Sequence, residues 1–570
     1  MKSKPMMLAT LLLATAQFAS GQSAPHDLEG LWEARRIFGP EIRGPLVITR
    51  SGNDWRADIA GFVVPFQANG SAIAFALPNG KGSFRGKVNG TAIVGHWIGA
   101  RTFNTGSPFA MPVTLKAERT GYWRGDLQPI DDAFTYYLPV TRREGKYATY
   151  VRNLERNDGR FMAVSAIEVA GNAVKLIGQR GAAAEGRIDD GVMRIPLRGG
   201  MTFDFVKVDP ATSHVFYPRP KSTRTYAYQM PLQRDDGWPV ASVEDVGISR
   251  TDIEKFVQML IDTPMDSLGS PQIHSLLIAR HGKLVVEEYF HGYHRDAPHD
   301  LRSASKSWVA VLLGAAMHAG VPIDLKTPVY QTYLGTVPAD LDPRKRAMTL
   351  DHLISMTAGF NCAADDAPGN EDVMQSQNEE PDWHRYALNV PMLTAPGDTI
   401  VYCSIEPDLA AGMLRKIAGE PLPEMFQRLV AEPLRMSNYH LFLSPVGEAY
   451  GGGGHRFVPR DFLKLPQLMV NDGQWSGKQI MSREWARQSG APLRNLTKSQ
   501  QYGWLWNSVE FPYKDGKVRG YFAAGNGGQI FMGIPELDLV IGFTGGAYAH
   551  PSAFVTQRVY IPNYILPAVK

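Results

Sequence analysis

The stretch His299-Asp-Leu-Arg-Ser303-Ala-Ser-Lys306-Ser307 leads directly into the apolar run Trp308-Val-Ala-Val-Leu-Leu313, which is typical of a buried helix. At helical spacing, Ser303 and Lys306 share one face and lie one turn apart. The amino terminus of a helix stabilises a developing alkoxide, and an ammonium group among apolar neighbours loses its proton more readily. The pair is therefore a candidate nucleophile with a proton acceptor.

The serine and lysine motif alone is a weak signal, because a chain of this composition contains about one Ser-x-x-Lys by chance. Its surroundings are more specific. Further motifs occur in this order: Tyr289-Phe-His-Gly-Tyr-His-Arg-Asp296, Thr349-Leu-Asp-His-Leu-Ile-Ser-Met-Thr-Ala-Gly-Phe360, Pro396-Gly-Asp-Thr-Ile-Val-Tyr-Cys-Ser404, Gly451-Gly-Gly-Gly454, Pro459-Arg-Asp461, Tyr502-Gly-Trp-Leu-Trp506 and Gly525-Asn-Gly-Gly-Gln529. The ordered set, over about residues 240–565, resembles the serine β-lactamase-related hydrolases, which include class C β-lactamases, DD-peptidases, family VIII esterases and 6-aminohexanoate-dimer hydrolases.

This resemblance implies a catalytic group. Ser303 would be the acylated nucleophile and Lys306 its partner. Tyr402, in Tyr402-Cys403-Ser404, matches the family's Tyr-x-Asn/Ser element, whose phenol shares proton transfer with the lysine. The resemblance leaves open whether Lys306 or Tyr402 is the resting general base.

The resemblance also implies an oxyanion hole and a substrate preference. The element Asn526-Gly527-Gly528 stands where penicillin-recognising members have Lys-Thr/Ser-Gly and many esterase-like members have His-x-Gly. The backbone amides of Ser303 and Gln529 would hold the oxyanion. Because Asn526-Gly527 offers neither a cation nor a hydroxyl to a substrate carboxylate, an ester or amide without that carboxylate is favoured. Ser404 replaces the family's Asn and shortens the third polar group.

Cys362 and Cys403 are the only two cysteines. Two cysteines in one domain of an exported protein can form a disulfide, while the alternative is a pair of buried free thiols. Cys403 lies next to Tyr402, and in the resembling family the loop that follows Phe360 approaches the same cleft. We therefore predict a Cys362–Cys403 disulfide.

The flanking sequence predicts a catalytic domain over residues 237–570. Ser249 can cap a helix, and two apolar runs around the turn His281-Gly282 predict a hairpin. A second hairpin-like pair lies near the C-terminus, with mostly helical sequence between the two. We expect an α+β domain of β-lactamase/DD-peptidase type, with one antiparallel sheet assembled from both ends and covered by helices.

The N-terminal region is mainly β, and it contains an internal repeat. Short alternating runs separated by Gly, Asn and Pro extend from Leu28 to about Val208. Gly30-Leu-Trp32 recurs as Gly121-Tyr-Trp123, and similar hairpin segments recur about 100 residues apart. We predict two β-rich repeats, residues 22–119 and 120–236. The Gly-x-Trp motifs resemble those of lipocalin or calycin barrels, while a β-sandwich with chance similarity is the alternative.

The N-terminus predicts export. Met1-Lys-Ser-Lys4 precedes an apolar stretch to about Ala19 that is shorter than a membrane span, and a small-residue run ends at Gly21. We predict a signal peptide over residues 1–21, cleavage after Gly21 and a periplasmic or secreted protein. The formal charge of +3 falls to +1 after removal of Lys2 and Lys4, which argues against nucleic acid as a partner.

Three functions are compatible with this sequence. The leading hypothesis is an exported serine hydrolase that cleaves an ester or amide, the second a DD-peptidase or β-lactamase. The third is a catalytically silent envelope-binding protein, whose β-rich region binds a ligand or envelope component. No cofactor is expected. The histidines His291, His294 and His299 match no metal-binding motif, and we expect them in loops or at the surface. We expect the run Gly451-Gly-Gly-Gly454 to form a tight turn beside the site, because no Lys-Ser/Thr follows it.

Overall fold

A computed structural model of the protein describes residues 27–103, 106–220, 225–362 and 376–570. The predicted signal peptide lies outside these residues. Within them, no helix is long and apolar enough to cross a membrane. The described chain forms two β-barrels and a C-terminal domain. The first barrel comprises residues 44–127, the second barrel residues 30–37 with 133–208, and the C-terminal domain residues 237–570.

The first barrel is a curled antiparallel meander, and the two strands at its edges follow one another directly in the chain. Its edge strands, Phe62–Phe66 and Ala68–Asn69, are separated only by Gln67. Its other strands are Gly44–Ser51, Asp54–Ile59, Ala72–Ala76, Gly82–Asn89, Ala92–Gly99, Phe109–Arg119 and Tyr122–Leu127. Alternate side chains point inward and fill the interior, including Trp55, Phe84 and Trp97. The interior of the first barrel is therefore a packed core.

The second barrel is closed. Its strand Gly30–Ile37 pairs on one side with Thr202–Val208 and on the other with Ala133–Arg143. The other strands of this sheet are Lys146–Ala148, Arg152–Asn153, Val164–Ala170, Ala173–Gly178, Gly181–Asp189 and Val192–Pro196, and a short helix spans Gly159–Met162. Trp32, Phe134 and Phe205 pack in the interior.

The predicted repeat boundary between residues 119 and 120 needs a correction. The strand Gly30–Ile37 belongs to the second barrel, so the first barrel is inserted between the first two strands of the second. The Gly-x-Trp motifs nevertheless occupy comparable positions, because each lies where the first and last strands of its barrel pair. Trp123 is in the last strand, beside Gly44–Ser51, and Trp32 is in the first strand, beside Thr202–Val208. The two linkers run side by side, with Phe38 N donating to Asp132 O at 2.7 Å. Strand pairing requires proximity in space only, which sequence order does not show.

The C-terminal domain is built on an eight-stranded antiparallel sheet that draws strands from both ends of the domain, as predicted. In sheet order these are Lys283–Tyr289, Ile273–Arg280, Leu539–Gly545, Gln529–Ile534, Gly516–Gly525, Asn507–Tyr513, Gln501–Tyr502 and Arg494–Asn495. Short strands elsewhere in the domain are His299–Asp300, Tyr439–Phe442, Arg456–Phe457, Gln474–Trp475 and Lys478–Gln479. The turn at His281-Gly282 has positive φ at both residues, which suits a two-residue hairpin.

Helices cover both faces of this sheet. The α-helices are Arg250–Ile261, Ser307–His318, Val329–Leu334, Pro343–Ala347, Leu350–Ile354, Trp383–Asn389, Ile405–Ala418, Leu422–Phe426, Pro459–Phe462, Lys464–Val470, Arg483–Ser489 and Leu566–Ala568, with π-helices at Gln427–Ala431 and Thr556–Ile565. As predicted, Ser249 caps the first of them by accepting from Asp252 N. The core on one side of the sheet contains Trp308 and Phe531, and that on the other Phe256 and Phe543.

Each barrel contacts the C-terminal domain directly. The first barrel continues into it by strand pairing, with Phe109 and Ala110 opposite Phe442 and Leu441. The second barrel contacts it through side chains, and Asn157 Nδ2 donates to Tyr548 O at 2.9 Å. The C-terminal domain therefore joins the two barrels.

Candidate active site

Ser303 and Lys306 lie together in a single 3-10 turn, Arg302–Lys306, and the α-helix begins only at Ser307. Side chains three residues apart eclipse one another in a 3-10 helix, which brings the hydroxyl and the ammonium group into contact. Lys306 Nζ donates to Ser303 Oγ at 2.8 Å. The lysine side chain is almost completely buried, while the serine is only partly so. The arrangement leaves the hydroxyl open to a substrate and holds its proton acceptor in place.

Hydrogen bonds with Gly454 and His455 hold this turn in place. Ser305 Oγ donates to Arg302 O at 2.8 Å and accepts from His455 N at 3.2 Å. Leu301 N donates to His455 O, and Gly454 N to Arg302 O. Burial lowers the pKa of His455 to about 3, so its ring is neutral at physiological pH. The nucleophile is thereby fixed by backbone contacts on both sides.

The glycine run is packed against the backbone of the site. Gly453 has φ +125°, and a Cβ there would lie 2.9 Å from Arg302 O and 3.3 Å from Ser303 Cα. A Cβ at Gly452 would lie 2.7 Å from Ser404 O. Only glycine allows the chain to approach both segments this closely. The run therefore lies beside the site, in the place predicted for it.

Tyr402 lies beside Lys306. The lysine Nζ is 5.0 Å from the centroid of the Tyr402 ring, which is nearly perpendicular to the ring of Tyr502 with centroids 6.4 Å apart. Ser404 is buried directly before the helix Ile405–Ala418. The structure thus brings Ser303, Lys306 and Tyr402 into one cluster.

A disulfide joins Cys362 to Cys403, next to Tyr402. Both cysteines are buried, and their Cα atoms are 5.7 Å apart. The bond connects two parts of the chain that are 41 residues apart in sequence. It therefore restrains the segment that carries Tyr402.

The segment Asn526-Gly527-Gly528 forms the turn between the strands Gly516–Gly525 and Gln529–Ile534. A Cβ at Gly525 would lie 2.2 Å from Leu301 O and 2.9 Å from Ala304 N, so the strand end touches the nucleophile turn. This proximity is what a shared oxyanion hole requires.

Gln529 is fully buried, and its side chain holds the backbone around this turn. Nε2 donates to Asn526 O at 3.1 Å and to Gly545 O at 2.7 Å, and Oε1 accepts from Gly545 N. With the side chain occupied in this way, the backbone amide is the group of Gln529 that could serve an oxyanion. Asn526 is exposed, and its Oδ1 accepts from Ala549 N at 2.6 Å.

Comparison with known proteins places this arrangement in a family. The family model described as Beta-lactamase matches residues 260–549. The chain belongs to the β-lactamase family. The matched range includes the Ser303 turn, Tyr402 and the Asn526 turn, and it excludes both barrels.

Individual relatives are distant. The chain is 22% identical over 264 residues to a 6-aminohexanoate-dimer hydrolase from Paenarthrobacter ureafaciens, a match that covers 44% of this chain and 64% of that relative. Among solved structures it is similar to EstCE1, a hydrolase with promiscuous acyltransferase activity, at 18% identity and TM-score 0.44, over 56% of this chain and 97% of that one. A penicillin-binding protein homologue from Caulobacter crescentus matches at 15% identity and TM-score 0.41, over 52% and 90% of the two chains.

Beyond the family's motifs, the structure adds residues that the sequence did not single out. The ring of Tyr548 lies against Gly527, where a Cβ would be 2.6 Å from a ring carbon. Arg302, next to the nucleophile, pairs with Asp300 at 3.2 Å and places its guanidinium 4.8 Å from the centre of the Tyr548 ring. Asn157 from the second barrel then holds the Tyr548 carbonyl. These residues are up to 391 positions apart, and no local sequence pattern relates them.

The expectation that the three histidines lie in loops or at the surface is wrong for His299, which is buried in the short strand His299–Asp300, whereas His291 lies in a turn. His294 is exposed, but His291 and His299 are buried. His274 Nδ1 lies 2.8 Å from His299 Nε2, and His291 contacts Arg152 of the second barrel at 3.3 Å. His299 is buried because its strand pairs with Arg456–Phe457 and its ring packs against His274 and Tyr293. Among the described residues, no group of three His, Cys, Asp or Glu side chains is placed to hold a metal ion.

Proposed function

We propose that this protein is a serine hydrolase that cleaves a carboxylic ester or amide through an acyl-enzyme on Ser303. The observation that carries the proposal is the 2.8 Å hydrogen bond from Lys306 Nζ to Ser303 Oγ, beside Tyr402. A serine next to a buried amine has the geometry of an activated nucleophile. Membership of the β-lactamase family supports this chemistry.

In the proposed reaction, Ser303 Oγ attacks the substrate carbonyl while its proton passes to the Lys306 and Tyr402 pair. The oxyanion accepts hydrogen bonds from the backbone amides of Ser303 and Gln529. Collapse of the tetrahedral intermediate expels an alcohol or amine, which takes up the proton. Water then attacks the acyl-enzyme, releases the acid and restores the serine hydroxyl.

We further propose that the protein acts in the periplasm or outside the cell. The sequence of residues 1–21 supports export, and a disulfide supports an oxidising compartment. Among substrates, Asn526-Gly527 favours simple esters or amides over penicillins and cephalosporins. We expect turnover of short-chain esters well above that of β-lactams, and a DD-peptidase or β-lactamase is the alternative that this comparison would reveal.

Kinetics of site variants test the proposal. Ser303→Ala should abolish hydrolysis, while Lys306→Ala and Tyr402→Phe should each lower acylation by orders of magnitude, because they act on the same proton transfer. Lys326→Ala, at an exposed lysine, is the matched control and should leave turnover unchanged. Asn526→Lys should weaken ester turnover or shift preference towards anionic substrates. Near-normal turnover by both partner variants would reject the assignment, and efficient cephalosporin hydrolysis would reject the preference.

A further inference from the structure

Three arginines converge beside the nucleophile turn, and they come from two parts of the molecule. Arg302 precedes Ser303, and Arg456 follows His455, which supports the turn. Arg156 comes from the second barrel, next to Asn157, whose side chain binds the Tyr548 carbonyl. All three side chains are only partly exposed.

The position of Arg156 is fixed from both sides. Its backbone N–H donates to Asn153 Oδ1 at 2.9 Å within the second barrel, and Asn157 ties the next residue to the C-terminal domain. Burial, and after it repulsion from Arg302, lowers the pKa of Arg156 to about 10. The guanidinium therefore stays charged at physiological pH and lies close enough to Arg302 to interact with it.

The arginines outnumber the carboxylates around them. Arg302 pairs with Asp300, but in the described parts of the chain neither Arg156 nor Arg456 has a carboxylate oxygen within 4.0 Å. Burial alone would raise the pKa of Asp300, yet Arg302, Arg456 and Arg156 together hold it below its usual range. The nearby Arg198 is neutralised by Asp158 at 2.8 Å.

The arginine cluster also contains a guanidinium nitrogen without a hydrogen-bond partner among the described residues. The Nε atom of Arg456 is buried without a hydrogen-bond partner, whereas Nε of Arg302 faces Asp300 Oδ2 at 3.2 Å. Arg456 is otherwise packed on the ring of Phe109, 5.3 Å from its centre. Removing guanidinium groups from water without a counter-charge is costly, so an arrangement of this kind suits an anionic ligand.

We propose that Arg156, Arg302 and Arg456 form an anion subsite, and that the ester or amide substrate carries a second, free carboxylate that binds there. The inference rests on the proposed function and extends it by naming the substrate class. The Asn526 turn lacks the cation of penicillin-recognising relatives, whereas this subsite takes one of its cations, Arg156, from a separate barrel. Planar guanidinium groups bind carboxylates through paired, charge-assisted hydrogen bonds.

Paired substrates test the subsite. The 4-nitrophenyl monoesters of hexanedioic to nonanedioic acid are compared with the 4-nitrophenyl esters of the monocarboxylic acids of equal length. We expect the full-length protein to prefer at least one anionic ester over its neutral counterpart. Arg156→Gln should lower kcat/KM for that anionic ester at least tenfold, mainly through KM, and change the neutral ester less than twofold. Arg156→Lys should restore part of the loss.

Arg160→Gln is the matched control, because Arg160 is exposed on the short helix that follows Arg156 and its substitution removes the same charge. It should leave both esters unaffected. An equal response of the two esters to Arg156→Gln, or an equal loss in Arg160→Gln, would overturn the subsite.

A binding measurement separates failure of the subsite from failure of the proposed function. Calorimetry with the free dicarboxylic acids on Ser303→Ala needs no turnover, and the added Arg156→Gln substitution should weaken binding at least tenfold. If Ser303→Ala binds the dicarboxylic acids but the wild type hydrolyses none of the esters, only the proposed function is rejected. Absence of binding, or binding that Arg156→Gln leaves unchanged, would reject the subsite.

Discussion

The two barrels are joined to the C-terminal domain by different kinds of contact. The first barrel shares backbone hydrogen bonds with the strand Tyr439–Phe442, supported by the pair of Arg85 with Glu424. The second barrel uses side chains, among them Asn157, which reaches the wall of the active site. The difference indicates that the first barrel contributes stability and that the second also positions groups at the site.

The disulfide provides a reference for the effects of the barrel contacts on stability and activity, because it lies beside the site within the C-terminal domain. Reduction of Cys362–Cys403 opens a loop of about 40 residues and should lower the free energy of unfolding by up to ~4 kcal/mol. Turnover should fall as well, because Cys403 is adjacent to Tyr402. Urea unfolding and ester kinetics with and without reductant measure both effects. Two alkylatable thiols in the unreduced, denatured protein would show that the bond is absent.

Acid should weaken both barrel contacts. Burial, and then Arg85, lowers the pKa of His96 in the first contact to about 3, and burial, and then Arg152, holds that of His291 in the second far below its usual range. Below pH 6.5 the unfolded chain takes up protons that the folded protein excludes, so stability falls as the pH falls.

The size of this loss of stability follows from the difference in histidine pKa between the folded and the unfolded protein. Each such histidine should cost about 2 kcal/mol between pH 6.5 and pH 5. Urea midpoints across this range test it, with His294→Ala at the exposed histidine as the control, which should show the same pH dependence as the wild type. A midpoint that stays constant or rises towards pH 5 would contradict the account.

The direct comparison of the barrels is Asn157→Ala against Arg85→Ala. Asn157→Ala leaves the buried Tyr548 carbonyl without its donor and should lower stability by about 1–2 kcal/mol. It should also lower kcat/KM about tenfold, because Tyr548 lies against Gly527. Arg85→Ala removes the ion pair with Glu424 and should cost about 1 kcal/mol, with kcat/KM within twofold of the wild type. Equal losses of activity would remove the distinction between the two barrels.

The parts of the molecule that the sequence predicts are those in which local pattern and structure coincide. The Ser249 cap, the His281-Gly282 turn and the pairing of Ser303 with Lys306 each depend on residues within a few positions of one another. Pairing of the two cysteines was predicted with help from the family resemblance, and the structure contains it.

The remaining features depend on contacts between distant segments. The strand Gly30–Ile37 closes a barrel whose other strands begin about 100 residues later, because edge strands pair wherever they meet. Asn157 and Tyr548 are 391 residues apart, and their contact follows from how the second barrel packs. Burial of His291 depends on the same packing. Composition and periodicity describe each segment but not which segment covers another.

Labelling with a serine-directed phosphonate shows whether Ser303 is the nucleophile. Intact-mass analysis of the wild type should show one adduct, and peptide mapping should place it on Ser303. Ser303→Ala should remain unlabelled while its urea midpoint stays close to that of the wild type. Full labelling of Ser303→Ala, or an adduct on another serine of the wild type, would contradict the account.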